Sequence, residues 1–183
     1  MPNWCMNTLE ITGPRERINN LAEAFAKGEL LEFILPVPAP LMNNDTSSFG
    51  GIDAEAKDAL RARLKAEYGY TGWYEWRLAN WGTKWDVGGP EEYCKVTELP
   101  NGLAHMSAEF ESAWTPPLEV YEWLVAERLQ VKAYYFEPGC GFAGRYEDGV
   151  DDYHEIFSRE GAVQLPHDIV EMFDVMAAYE EVE

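Results

Sequence analysis

The stretch LAHMSAEFESAW, residues 103–114, alternates along its length. Ala104, Met106, Ala108, Phe110 and Trp114 point one way, and His105, Ser107, Glu109 and Glu111 the other. A period of two with one apolar and one polar side is a strand lying half-buried on a core. TPP, 115–117, then opens a helix over 117–129 with Leu118, Tyr121, Leu124, Val125 and Leu129 as its apolar stripe. Two more strands, VKAYYFE (131–137) and GFAGRYE (141–147), follow, joined through Pro138, Gly139 and Cys140.

Upstream of this strand, CMNTLEIT (5–12) is a second strand, with Cys5, Asn7, Leu9 and Ile11 on one side. Gly13 and Pro14 turn the chain into a helix in which Ile18, Leu21, Ala22 and Phe25 share a face, and Gly28 stops it. Prolines 36, 38 and 40 argue against both helix and central strand in FILPVPAP (33–40), so this segment is expected extended along the surface. LMNNDTSSFGG (41–51) reads as a loop. The next segment, 52–70, is rich in helix formers, with Asp53 as N-cap and Gly69 as a stop. GWYEWRLANWGTKWDV (72–87) packs four tryptophans into thirteen residues, with Trp73, Trp76 and Asn80 at helical spacing and a short strand expected over 84–87. LPHDIVEMFDVMAAYEE (165–181) reads as an amphipathic helix built on Ile169, Met172, Phe173 and Met176.

The order β, α, insertion, β, β, α, β, β and a closing helix predicts an α+β chain. The expected form is a ferredoxin-like antiparallel sheet, a split βαβ with helices on one face, a helical insertion and an acidic C-terminal helix. One domain spans 1–183: a core of 1–40 and 83–149, a Trp-rich helical insertion at 41–82 with too few apolar residues for a core of its own, and an acidic segment at 150–183.

Charge narrows the function. Asp and Glu number 33 against 14 Lys and Arg, a net charge of -19, which works against contact with phosphate backbones or anionic lipid. From Glu147 onward twelve acids face one base, Arg159, a local balance of -11. No apolar run approaches the roughly 18 residues of a membrane span, and MPNWCMNTLE lacks the basic start and apolar middle of a signal peptide, so a cytoplasmic protein is expected. Cys5, Cys94 and Cys140 are widely spaced without a CxxC, which suggests reduced thiols.

GCGFAG (139–144) has the GxGxxG spacing, but no helical stripe follows it and Glu147 and Asp148 stand where a phosphate would sit. A kinase-type glycine loop needs a downstream lysine, and none occurs after Lys132. These glycines are therefore expected to form a tight connection at Gly139 to Gly141, with Gly144 a strand position closely approached by another group. His105, His154 and His167 have no metal-ligand spacing; Glu137, Cys140 and His154 would have to be brought together by folding. Asp148, Asp151 and Asp152 lack the full calcium-loop pattern and read as a solvated loop. No catalytic residue, metal ligand or cofactor is predicted. The aromatic run around Arg77 and Lys84 raises a second reading, stacking of single-stranded nucleic acid on Trp73 and Trp76. Charges from 70 to 88 cancel, however, and Trp4, Trp81, Trp85 and Trp114 are expected to form a core between insertion and sheet.

Four stretches, MPNWCMNTLEITG, WGTKWDV (81–87), FESAWTPP (110–117) and YFEPGCGFAGRYEDG (135–149), together resemble the YubB-like family of plasmid and phage proteins. The resemblance implies a ferredoxin-like domain and an origin on a bacterial mobile element, and it supplies no catalytic residues. Joined to the charge, it leads to an expected function. The protein would be a non-enzymatic phage or plasmid protein whose acidic, DNA-mimicking surface blocks a host nucleic-acid-binding defence protein, as an anti-CRISPR or anti-restriction factor. Asp148, Asp151, Asp152, Glu155 and Glu160 are the expected contacts. Direct duplex nucleic-acid binding and membrane association are not expected. A small enzyme with an unrecognised site is the remaining alternative.

Overall fold

The computed structural model describes residues 2–42 and 54–179. The loop expected from residue 43 onward, the N-cap assigned to Asp53 and the last four residues lie outside the described residues. The chain is α+β, with six strands in one open antiparallel sheet of order β2-β3-β1-β4-β5-β6. These are β1 Trp4–Pro14, β2 Cys94–Glu98, β3 Leu103–Ala113, β4 Gln130–Glu137, β5 Phe142–Glu147 and β6 Val150–Glu155. The helices are α1 Arg15–Lys27, α2 Leu30–Ile34, α3 Ala39–Met42, α4 Ala54–Tyr68, α5 Trp73–Asn80, α6 Leu118–Ala126, α7 Arg159–Val163 and α8 His167–Phe173; a 3-10 turn, Val175–Tyr179, follows.

The alternation in β1 and β3 builds the main core. Leu9 and Ile11 of β1, with Ala104, Met106 and Ala108 of β3, are almost fully buried, and they lie against Ile18, Leu21 and Phe25 of α1 and Val120, Tyr121 and Leu124 of α6 in one cluster. α1 stops at Gly28, whose φ of 73° is a left-handed conformation that glycine reaches without a Cβ clash. Leu64 of α4 and Trp76 of α5 join the same cluster, so the inserted helices share the core of the sheet. Trp81 is fully buried and its Nε1 donates to Leu35 O at 2.8 Å. Beside it, Arg77 lies over the Trp81 ring at 4.3 Å and the Trp73 ring at 5.1 Å, so the cation is already occupied by aromatic faces.

Several local expectations are corrected. Residues 84–87 form no strand; instead Asp86 accepts hydrogen bonds from Leu31 N and Glu32 N, capping α2. That cap lets Phe33 and Ile34 be helical despite the nearby prolines, and Pro40 sits in the first turn of α3, where its missing N–H costs nothing. Leu31, Ile34, Val37 and Leu41 are buried, so this segment is a core element and not a surface strap. The strand next to β3 is β2, which the sequence does not announce because four of its five residues are exposed at the sheet edge. Trp114 lies past the end of β3 with a φ of 75° and is 43% exposed.

Downstream of Glu147 the differences are larger. Asp151 and Asp152 belong to the edge strand β6 rather than to a loop, and an edge strand carrying charge is protected against pairing with other chains. The single closing helix is broken: α8 ends at Asp174, with a φ of 48°, and a 3-10 turn continues. These C-terminal helices lie on the second face of the sheet. There Tyr134, Phe136 and Ala143 form a cluster with Ile156, Ala162, Leu165, Ile169 and Val175. Helices therefore cover both faces, and the expectation of one helical face holds only for α1 to α6.

Candidate functional site

The β5–β6 hairpin carries most of the predicted contact residues. Register pairs Arg145 with Asp152, Tyr146 with Asp151 and Gly144 with Tyr153, and alternation then puts Asp151 and Glu155 on the side of Tyr153 and Asp152 on the side of His154. Asp148 sits in the connecting turn with a φ of 45°; its Oδ1 accepts from Val131 N at 2.8 Å. Asp151 Oδ1 accepts from the Tyr135 hydroxyl at 2.8 Å, and burial, then that carboxylate, push the Tyr135 hydroxyl far above the usual tyrosine range. Glu160 stands in the first turn of α7, held below the usual carboxylate range by its own amide and by Ser158. The five acids therefore lie along and beyond the β6 edge of the sheet, with Asp148 and Glu155 at opposite ends of that strand, and they occupy two faces of β6, a turn and a helix rather than one plane.

Asp152 belongs to a network. Arg145 Nη2 reaches Asp152 Oδ2 at 3.1 Å and Arg145 Nη1 reaches Asp168 Oδ2 at 2.8 Å. The Tyr134 hydroxyl donates to the same Asp168 oxygen at 3.1 Å, and His154 Nε2 lies 3.1 Å from Asp152 Oδ1. Partial burial pushes the Asp168 carboxyl up, but the hydrogen bonds from Arg145 and Tyr134 and the charge of Arg145 outweigh it, and it sits below its ordinary value. The network clamps α8 to β5.

Folding brings Glu137 and Cys140 together in the β4–β5 turn but leaves His154 apart from them. The Glu137 carboxylate is buried at the end of β4, accepting from Gly139 N and Cys140 N in the β4–β5 turn, whereas His154 faces Asp152. Asn3 Nδ2 donates to Cys140 Sγ at 3.4 Å, and the hydrogen bond with Glu137 raises the Cys140 thiol above its usual value. Among the described residues no three His, Cys, Asp or Glu side chains come together as metal ligands.

A second feature was not anticipated. A groove of about 650 Å³ opens between residues 86–90 and the edge of β3, and continues over the second face of the sheet to α8. Trp4, Tyr93, Glu109, Glu111, Met172 and Phe173 are among its walls. Trp4 and Trp85 are 43% and 39% exposed, with ring centroids 5.6 Å apart. Of the tryptophans expected to form a core, only Trp81 does so. The available signal was the polar side of 103–114, where Glu109 and Glu111 recur two apart next to aromatic residues of unassigned face.

No protein-family model and no curated protein matches the chain. A solved structure is similar to it: the crystal structure of a protein api92 from Yersinia pseudotuberculosis, with the family model DUF1281. Identity is 13%, the match covers 86% of this chain and 99% of that one, and the TM-score is 0.39. That likeness is too distant to assign this chain a function. No helix among the described residues is long and apolar enough to cross a membrane.

Proposed function

We propose that the protein is a non-enzymatic binding protein that offers a fixed acidic surface to a basic, nucleic-acid-handling host protein and competes there with nucleic acid. The observation that carries this reading is the order imposed on the acids. Asp148, Asp151 and Asp152 are each held by a hydrogen bond or ion pair within a regular hairpin, and Glu160 starts a helix. Charge fixed in advance loses less entropy on binding than charge on a loose tail, and duplex DNA, with about one charge per 1.7 Å, sets the field to be imitated. Parallel β1 and β2 with β3 between them, followed by α6 leading into β4 beside β1, support a ferredoxin-like split βαβ. The YubB-like resemblance supports a phage or plasmid origin, and on such an element an acidic mimic would serve as an anti-CRISPR or anti-restriction factor in the host cytoplasm.

Stacking of single strands on Trp73 and Trp76 is less well supported, since Trp76 is 7% exposed and Arg77 already lies against Trp73. The test is capture from bacterial lysate by the intact chain and by Asp151→Asn/Glu155→Gln/Glu160→Gln. Retention of a nucleic-acid-binding protein that weakens in the variant and in raised salt is expected. Retention of none, or retention indifferent to both changes, overturns the proposal.

A further inference from the structure

The groove beside β3 has a composition that selects its occupant. Glu109 and Glu111 are exposed on its floor, while Trp4, Tyr93, Met172 and Phe173 supply apolar and aromatic walls. Among the described residues no lysine or arginine lines it. Asp86, the other acid in the lining, is tied to Leu31 N, Glu32 N and Val87 N, so Glu109 and Glu111 are the carboxylates left to meet a ligand. Just outside the groove the molecule holds a cation on an aromatic face: Lys84 Nζ lies 4.1 Å from the centre of the Trp85 ring, whose centroid is 5.6 Å from that of Trp4.

The backbone of β3 adds a polar rail. Trp114 N donates to Asn3 O at 3.0 Å, so in this antiparallel pair even-numbered β3 residues direct their N–H and C=O toward β1 and odd-numbered ones away from it. The bond from Leu99 N to Leu103 O and that from Thr83 Oγ1 to Ala113 O follow the same parity on the outer side. β2 covers β3 only from Ala104 to Ala108. Glu111 therefore presents its outward N–H and C=O in the gap between the start of β2 and Thr83, with no strand of the described residues beside it. A rail of this kind is met by a peptide backbone.

We propose that this groove seats a short basic segment of a partner protein, an arginine or lysine flanked by an apolar residue. Its cation pairs with Glu109 and Glu111, and its apolar side chain packs between Trp4 and Met172. The proposal rests on the reading that the partner is basic, but it places a contact on β3, away from the acids of the β5–β6 hairpin.

The test is calorimetric titration of the intact protein with a synthetic Leu-Arg-Leu-Lys peptide, its glutamate-for-base analogue and spermidine. Binding of the basic peptide alone is expected, weakened roughly two- to fivefold by each of Glu109→Gln and Glu111→Gln and more by Trp4→Ala, with Glu155→Gln/Glu160→Gln unchanged. Circular dichroism melts confirm that the variants are folded. Absence of binding, or binding that responds to Glu155→Gln/Glu160→Gln but not to the groove variants, overturns the groove while leaving the acidic hairpin reading intact. Equal binding of spermidine identifies a small-cation site, and self-association abolished by Trp4→Ala identifies a second copy as occupant; either result also overturns it.

Discussion

Replacing Gly144 with alanine asks whether the glycine spacing around 139–144 serves packing rather than phosphate. Gly144 lies between Tyr135 of β4 and Tyr153 of β6. A Cβ at this position would stand 2.2 Å from the Tyr135 Oη, 2.3 Å from its Cζ and 2.8 Å from its Cε2, where ordinary contact begins at 3.4 Å. The ring would have to retreat by about 1 Å to regain van der Waals separation. Its present position is held by several contacts: it is 0% exposed, set edge-on to Phe142 at 6.1 Å, and its hydroxyl is bonded to Asp151 at 2.8 Å. In an unobstructed strand the substitution would stabilise by about 0.5–1 kcal/mol. Overpacking costs about 1–3 kcal/mol, and loss of the Tyr135–Asp151 bond about 1 kcal/mol more, so a net loss of about 2 kcal/mol is expected. Urea denaturation measures it as a lowered midpoint at constant slope. Tyr135→Leu removes the offending atoms, and in that background Gly144→Ala should be neutral or stabilising. Gly144→Ala as stable as the parent, or the same loss in both backgrounds, would refute the packing account.

Three further outcomes are expected. Arg145→Met should loosen α8, seen as faster hydrogen exchange at Ile169 and Val170, with a global cost of about 1 kcal/mol because Asp152 and Asp168 remain partly solvated. The Asp168 carboxyl is held below its ordinary value, so its contribution is complete above the unfolded value near pH 4 and is lost as pH falls through the lower folded one; the parent should show an acid-side loss of α8 protection that Arg145→Met lacks. Asp86→Ala leaves the amides of Leu31, Glu32 and Val87 without their acceptor and should cost about 2 kcal/mol by denaturant titration. Burial raises the Asp86 carboxyl, so its own titration favours the fold below the unfolded value near pH 4 and withdraws that support as pH rises through the folded one. Iodoacetamide, followed by mass spectrometry, should label exposed Cys140 first, though slowly for a surface thiol because Glu137 raises it, and fully buried Cys5 only on unfolding.

What could be read in advance was whatever a single periodicity determines. β1 and β3 alternate because one face is buried by helices, and α1 shows its stripe because one side meets the sheet. Edge strands carry no such signal: β2 and β6 have few buried positions, and Asp151 and Asp152 argue against a strand by propensity until the partner strand β5 is known. α2 depends on a cap from Asp86, 55 residues away from Leu31, which no local pattern contains. The candidate acids were legible as composition, but their dispersal over two faces of β6 follows from register alone. Of the groove only the acids Glu109 and Glu111 were legible, because Trp4 in its wall carries the same letter as the core tryptophan Trp81.

The placement of the groove follows from how the second face of the sheet is divided. Its β4–β5 half presents Tyr134, Phe136 and Ala143, and the C-terminal helices close over it. Its β3–β1 half presents His105, Ser107, Glu109 and Glu111 beside Glu10 and Thr12, a surface that water can serve without a cover. Between the two lies a seam where Met6 of β1 and Phe173 of α8, both packed against the apolar cluster, meet Glu109 and Glu111 of β3. A wholly apolar ligand would strand those carboxylates away from water, and a simple cation would leave Trp4 and Phe173 uncovered. A ligand with a positive charge set next to an apolar group satisfies both sides of the seam, and a basic peptide segment has that chemistry in adjacent side chains.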